Sequence, residues 1–315
     1  MTLNPKQQFA KDVKDGLSAE QKYLPSRYFY DKKGDELFIK IMHSPEYYLT
    51  NAEFEIFNEQ TQEIIDSFEI GEEGIELYEL GAGDGTKTIK LLESIDHNKL
   101  IYKPIDISTN AIYNLEKRLQ GNLPNLIVEG LNGEYFQVLS QIESKKKKVI
   151  LFLGSNLGNM LDERAKLFLD GLSKVMTSGD KLLIGLDLIK PRDIVLPAYN
   201  DKQGYTRDFN LNLLSRINRE LGANFELEKF IHLPEYSEET GLAKSYLQST
   251  KKQEVYIKEL DLSIQFEAGE RIFTELSRKY NTKILQDLIK NTGLRVVKEF
   301  TDKQNYFTDF LIEKD

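Results

Sequence analysis

The residues whose types and spacing could do chemistry are few, and most are glycines and carboxylates. The densest group is Glu79-Leu80-Gly81-Ala82-Gly83-Asp84-Gly85-Thr86. Glycines at 81, 83 and 85 let the backbone approach a ligand closely, where a side chain would collide. A second group is Pro104-Ile105-Asp106-Ile107-Ser108. An acid at the end of the second strand of an α/β sheet can accept both hydroxyls of a ribose, so Asp106 points to a nucleoside cofactor. The nicotinamide fingerprint places its third glycine five residues after the first. Here the glycines are spaced two and two, and Thr86 stands where that pattern needs a small helix-packing residue. Other chemistries have little to draw on. Cysteine is absent, which removes disulfides, thiolate zinc sites, iron–sulfur ligation and cysteine nucleophiles. His43, His97 and His232 are far apart, and none lies in an HxH or HExxH pattern. They read as structural or surface residues, and no metal site is expected.

The elements that must position these groups come next. The first ~70 residues read as helical: short amphipathic pieces at 7–17 and 35–43, then a longer one at 51–67 with Phe54, Phe57, Ile64 and Ile65 on one face. An aromatic loop, Tyr28-Phe29-Tyr30, lies between the first two. From residue 75 short apolar runs alternate with helical ones. Strands are expected at 75–80, 100–105, 126–129, 149–153 and 181–189. Helices are expected at 87–94, at 162–176, and from Ser108, a good N-cap, to 119. Such alternation argues a parallel, doubly wound sheet. After Lys190-Pro191 it breaks. A helix at 208–221 closed by Gly222 is followed by β-like runs at 227–233, 242–248, 254–260 and 262–266. A helix at 282–292, ended by Gly293, and strands at 294–301 and 306–313 complete the chain. An insertion of about ninety residues with its own strands is a second domain rather than a loop. The expected division is a sheet domain over 62–190 and 280–315, and a substrate-binding domain over 1–61 and 191–279.

The chain has 315 residues, 40% hydrophobic and 30% charged, as in an ordinary globular protein of about two domains. Its 42 basic and 51 acidic side chains give a net charge of −9, a poor balance for gripping nucleic-acid phosphate or anionic lipid. The lysine run at 145–148 reads as a solvated loop before a strand. The N-terminus has no apolar core of the signal-peptide kind, and no apolar stretch approaches ~18 residues. The expected setting is the cytoplasm. A monomer is the default, with no nucleic-acid or membrane partner.

An acid-x-Gly-x-Gly-x-Gly run on a first strand resembles the pattern of S-adenosylmethionine-dependent methyltransferases. The two terminal strands agree, because a seventh, antiparallel strand marks that sheet. The fold implied is α/β: a class I methyltransferase doubly wound sheet with a terminal antiparallel hairpin, plus a second α+β domain built from the N-terminal segment and the insertion. Further blocks resemble one family, the histidine-specific N-alpha-methyltransferases of ergothioneine biosynthesis, which trimethylate the α-amine of L-histidine to hercynine. They are Leu24-Pro25 with Tyr28-Phe29-Tyr30-Asp31, Gly34 with Glu36-Leu37-Phe38, Pro45-Glu46-Tyr47-Tyr48, residues 79–88, 102–108 and 151–159 (LFLGSNLGN), Tyr199, and Thr274-Glu275-Leu276-Ser277. They run nearly end to end.

The resemblance implies roles by position. Tyr47, Asn159 and Tyr199 hold the substrate's α-amino and carboxylate groups. Tyr30 and Phe38 line the amine end, Gly154 forms the floor near it, and Glu275 with Ser277 grips the imidazole. Glu79, Gly81, Gly83, Gly85, Lys87 and Asp106 contact S-adenosylmethionine. The family usually presents Gly-Asp-Phe near the adenine; the nearest match is Gly133-Glu134-Tyr135, with Glu129-Gly130 the competing register. Ser245 falls where the family often has a methionine beside the imidazole. Methyl transfer is a direct displacement that needs a neutral amine in line with the methyl, so alignment supplies much of the acceleration. The Tyr30 and Tyr47 hydroxyls are the groups expected to accept or relay the amine proton. Three readings compete with histidine methylation. One is the same chemistry on another aromatic amino acid such as tryptophan. The others are a nicotinamide-dependent oxidoreductase and a non-catalytic binding module.

Overall fold

The computed structural model describes residues 4–83, 85–142 and 144–315; Asp84 of the glycine motif lies outside the described residues. In chain order the helices and strands begin with α1 (Pro5–Leu17), α2 (Lys32–Met42), α3 (Tyr48–Glu59) and α4 (Thr61–Ser67). There follow β1 (Ile75–Leu80), α5 (Ile89–Ser94), β2 (Leu100–Asp106), α6 (Thr109–Asn122), β3 (Ile127–Val128), β4 (Leu131–Asn132) and α7 (Tyr135–Leu139). Then come β5 (Lys147–Phe152), α8 (Asp162–Val175) and β6 (Lys181–Asp187). Next are α9 (Arg192–Ala198), α10 (Tyr205–Leu221), β7 (Phe230–Ser237), β8 (Leu242–Ser249), β9 (Gln253–Ile257), β10 (Leu262–Phe266) and β11 (Arg271–Arg278). The chain closes with α11 (Thr282–Ile289), β12 (Leu294–Thr301) and β13 (Phe307–Lys314).

Two compact units result, one from residues 49–189 and 278–315, the other from 1–48 and 190–277. In the first, the strands lie in the order β12-β13-β6-β5-β1-β2-β3, with β4 also paired to β2. The pairs from β6 to β4 are parallel. β13 runs antiparallel to both β6 and β12. All six residues of β1 are buried, as a strand covered on both faces requires. Ile75 and Leu77 pack into one cluster with Ile56, Ile64, Leu91 and Leu115, so α3 to α6 cover that face. Tyr78 and Leu80 point the other way and join Phe168, Leu172 and Leu285 of α8 and α11. Helices on both faces of a mostly parallel sheet make this a doubly wound fold.

The second unit packs α1, α2 and α10 against a three-stranded sheet in the order β11-β8-β7, with the hairpin β9-β10 beside it. The core includes Phe9, Phe29, Phe209, Leu213, Leu247 and Ile272.

Several local expectations change. The helix expected at 51–67 breaks into α3 and α4 at Gln60. The Thr61 hydroxyl donates back to the Phe57 carbonyl, a bond that bends helices, and Gln60 Nε2 donates to the Thr301 carbonyl at 2.9 Å. The 145–148 lysine run is only in part a solvated loop: Lys145 and Lys146 lie in a bend before the strand, and Lys145 and Lys147 are exposed. Lys147 and Lys148 open β5, and Lys148, 6% exposed, is paired with the buried Asp180 at 2.8 Å. Residues 271–278 form a strand, and α9 contains Pro197 in its interior. Ser108 caps α6 by accepting from the Ala111 amide at 3.2 Å, and Gly222 closes α10 at φ +64°.

Candidate active site

In the sheet-bearing unit the glycine turn leaves β1 at its C-terminal end. Gly81, Gly83 and Gly85 all have positive φ (+72°, +56° and +67°), a conformation other residues adopt only with strain. The Gly81 amide donates to the Ile105 carbonyl at 2.8 Å, which ties the turn to the end of β2. A Cβ on Gly81 would lie 2.7 Å from the Tyr135 hydroxyl, so that hydroxyl sits directly over the glycine. Asp106 ends β2 and accepts from the Ser108 amide at 2.8 Å. Asn132 is its register partner, and the Gly133 amide donates to its carbonyl at 3.1 Å. Gly133-Glu134-Tyr135 therefore stands level with Asp106. Burial raises the Tyr135 phenol, and Asp106 and Glu134 add to the rise. Glu129 lies further back along β2, paired with Lys103 at 3.1 Å.

Glu79 is buried beneath the turn and accepts from the Thr88 hydroxyl at 2.6 Å and from the Tyr102 hydroxyl. Burial pushes its carboxyl up to about 7; the two hydroxyls and Lys87 pull it down, while Glu53 pushes it further up. Lys87 is ion-paired with Glu53. Burial would lower the Lys87 ammonium, but Glu53 outweighs it and holds it above its ordinary value. Gly154 has φ +75°, a conformation that favours glycine, and the Lys87 Nζ lies 3.0 Å from where a Cβ would stand. Its amide donates to Glu53 Oε1 at 2.6 Å. Asn159 closes the short helical turn after β5 and is exposed. The turn, Asp106 and Tyr135 converge at the carboxyl ends of parallel strands, where α/β sheets bind their ligands. This open cradle fits an adenosyl amino acid.

In the other unit Tyr30, Phe38, Tyr47 and Phe209 form an aromatic cluster. Tyr30 meets Phe38 edge-on at 5.6 Å and Phe209 at 5.7 Å; Phe38 meets Tyr47 at 6.4 Å. Tyr30 is half exposed as a residue. Desolvation by the surrounding protein, with Glu275 and Asp35 nearby, holds the phenol above its ordinary value, so it is protonated at neutral pH. Glu275 and Ser277 lie two residues apart on β11. Glu275 Oε2 accepts from the Ser245 hydroxyl at 3.1 Å. Ser245 is fully buried on β8, and its carbonyl is bridged to Asn210 Oδ1 by the Thr274 hydroxyl, at 3.0 and 2.7 Å. Tyr199 caps the C-terminus of α9 and is buried.

Gly81 and Tyr135 lie against each other, Asp106 stands level with Gly133-Glu134-Tyr135, Lys87 lies beside Gly154, and Tyr30, Phe38 and Tyr47 form one cluster. The sequence reading missed Phe209, Glu53 and Asp309. Phe209 is one apolar residue among several on the buried face of α10. The two carboxyls sit in a helix and a strand far in sequence from the glycine turn.

The strand order with β13 alone antiparallel, the glycine turn after β1 and the acid ending β2 define a class I S-adenosylmethionine-dependent methyltransferase. The solved structure of the mitomycin 7-O-methyltransferase MmcR shares this fold at a TM-score of 0.50 and 13% identity, covering 99% of this chain and 69% of that one. The chain belongs to the histidine-specific, S-adenosylmethionine-dependent methyltransferase family, whose model matches residues 9–314. The histidine N-alpha-methyltransferase of Mycobacterium tuberculosis (strain CDC 1551 / Oshkosh) is 32% identical over 299 residues, 94% of this chain and 92% of that protein. Ergothioneine biosynthesis protein 1 of Neurospora crassa is 31% identical over 295 residues, 90% of this chain and 32% of that protein.

Proposed function

We propose that this enzyme transfers methyl groups from S-adenosylmethionine to the α-amine of L-histidine, three times, to give hercynine. Family membership supports the reaction. The observation that carries the substrate is Glu275. It is a carboxylate on a strand, braced by the Ser245 hydroxyl at 3.1 Å, with Ser277 two residues on and Tyr30 within its electrostatic reach. A carboxylate so held accepts an N–H from an imidazole ring, neutral or charged.

The sheet-bearing unit holds the cofactor in this account. Bound S-adenosylmethionine supplies an electrophilic methyl group on a sulfonium. Asp106 takes the ribose hydroxyls, and Glu134 and Tyr135 flank the adenine end. Gly81, Gly83 and Gly85 give the backbone clearance. Lys87 meets the carboxylate of the amino-acid end, and Glu79 braces the turn beneath it. The family resemblance assigns Asn159 and Tyr199 to the substrate's α-amino and carboxylate groups and Gly154 to the floor near the amine end. Tyr47 orients the amine, and Phe38 walls it from water. Tyr30, protonated, accepts a hydrogen bond from the ammonium and relays its proton in one concerted step, releasing the phenol's own proton to water, so that the tyrosine stays neutral and the amine is left a neutral nucleophile. Positioning does most of the work. The enzyme acts as a cytoplasmic monomer on a small molecule, with no nucleic acid or metal. Among the described residues no helix is long and apolar enough to cross a membrane.

Glu275→Ala tests the substrate assignment. Loss of a hydrogen bond to a charged group is worth about 1.5–3 kcal/mol, so the histidine KM should rise about ten- to hundredfold. Binding of S-adenosylhomocysteine should hold within about twofold. Equal histidine turnover in the variant would sink the assignment.

A further inference from the structure

Beside the cofactor turn, the sheet-bearing unit buries two carboxyls that no sequence motif announces. Glu53 of α3 is 1% exposed and Asp309 of β13 is 0%. They flank Gly185 of β6, the register partner of Asp309. The point a Cβ on Gly185 would occupy lies 2.4 Å from Glu53 Oε1 and 2.8 Å from Asp309 Oδ1. A side chain there would fill the space the two carboxyls share.

Their surroundings differ. Glu53 accepts the Gly154 amide at 2.6 Å and pairs with the Lys87 ammonium, and both contacts favour a carboxylate. Neither oxygen of Asp309 accepts a hydrogen bond among the described residues. An ionised carboxylate buried without donors, beside a second carboxylate, is very costly. Two such groups hold one proton between them. The proton sits on Asp309, where the charge has least support, and the acceptor across Gly185 is Glu53. Burial and the Glu53 charge both push the Asp309 carboxyl well above its ordinary value, against Lys87. The other titratable groups acting on this cluster are Glu79 in β1, which faces Lys87 and Glu53, and Tyr102 in β2, which donates to Glu79.

We propose that Asp309 and Glu53 form a proton-sharing carboxyl pair, Asp309 donating and Glu53 accepting, that positions the Lys87 ammonium for the amino-acid end of the methyl donor and ties down the Gly154 backbone. The pair then presents one negative charge to Lys87 and keeps Glu53 from turning away. Both are positioning residues, acting through Lys87 and Gly154. The inference rests on the reading that Lys87 meets the donor's carboxylate.

The test compares the wild type with Asp309→Asn, Asp309→Leu and Lys87→Met in the full chain. A carboxamide can still donate to Glu53, and a leucine cannot. Titration calorimetry with S-adenosylhomocysteine should give Asp309→Asn within about twofold of wild type, and Asp309→Leu weaker by about tenfold. Infrared difference spectra at about pH 8.5, above the Glu79 titration, should show a protonated-carboxyl band in the wild type that Asp309→Asn lacks. An unchanged Kd in Asp309→Leu, an equal loss in Asp309→Asn and Asp309→Leu, or no difference band would overturn the proposal. The infrared arm needs no cofactor and stands even where Asp309→Leu fails to fold. An unchanged Kd in Lys87→Met would instead refute the cofactor reading, and the infrared result would still judge the shared proton.

Discussion

Glu79→Gln is a sharp probe of the cofactor turn, because the wild-type carboxyl titrates far from its usual range. Its value in the folded protein is about 7, against 4.5 for an ordinary glutamate. The folded state therefore holds this proton more tightly than the unfolded chain. Below about 4.5 both states carry it, and above about 7 neither does. Between those limits the folded protein binds more protons, so stability falls as pH rises. At 1.36 kcal/mol per unit the full loss is about 3 kcal/mol. Glutamine removes that titration at small structural cost. Its carboxamide accepts from one of the Thr88 and Tyr102 hydroxyls and donates to the other, and a hydroxyl can serve in either sense. The variant's stability relative to wild type should therefore climb by about 3 kcal/mol between pH 4.5 and pH 8. Titrating groups away from Glu79, Lys87, Glu53 and Asp309 cancel in the comparison. Urea unfolding followed by circular dichroism, repeated across that range, reads the difference directly. Parallel stability curves would refute the reasoning, since they would mean that Glu79 titrates alike in both states. A relative fall would mean that Lys87 stabilises the charged form outright.

Two further substitutions probe the same machinery. Gly154→Ala forces a side chain into a positive-φ position with Lys87 Nζ 3.0 Å from its Cβ, so it should lower stability by about 1–3 kcal/mol and weaken S-adenosylhomocysteine binding, read by thermal shift and calorimetry. Tyr30→Phe keeps the ring contacts with Phe38 and Phe209 and loses the hydroxyl; kcat should fall about a hundredfold with the histidine KM within about threefold, and an unchanged kcat would remove Tyr30 from the proton path.

The parts of this protein most legible in the sequence are those where local rules and tertiary structure agree. The strand–turn–helix rhythm from residue 75, the Ser108 cap and the Gly222 stop each rest on one or two residues whose backbone preferences decide the outcome. The glycine turn was legible because three glycines at that spacing have no cheap alternative role. What stayed hidden depended on distant partners. The break at Gln60 has no glycine or proline to announce it; it follows from the Thr61–Phe57 bond and a contact with Thr301. Lys148 reads as surface until Asp180, thirty-two residues on, supplies its counter-charge. Pro197 hid α9 by arguing against a helix. Glu53 looks like any polar position on an amphipathic helix, and Asp309 follows Thr308 near the start of a strand that also carries Glu313 and Lys314. Only the fold sets the two beside Gly185. Phe209 was invisible for a similar reason, because one aromatic on a buried helix face does not say which rings it will meet.

The most direct test of the account is a methyl-transfer assay with labelled S-adenosylmethionine against each standard amino acid, with products identified by mass. The account predicts label on L-histidine alone at competitive kcat/KM, through mono- and dimethyl intermediates to a trimethylated α-amine. Comparable transfer to tryptophan or another aromatic amino acid, or label on the imidazole ring, would contradict it.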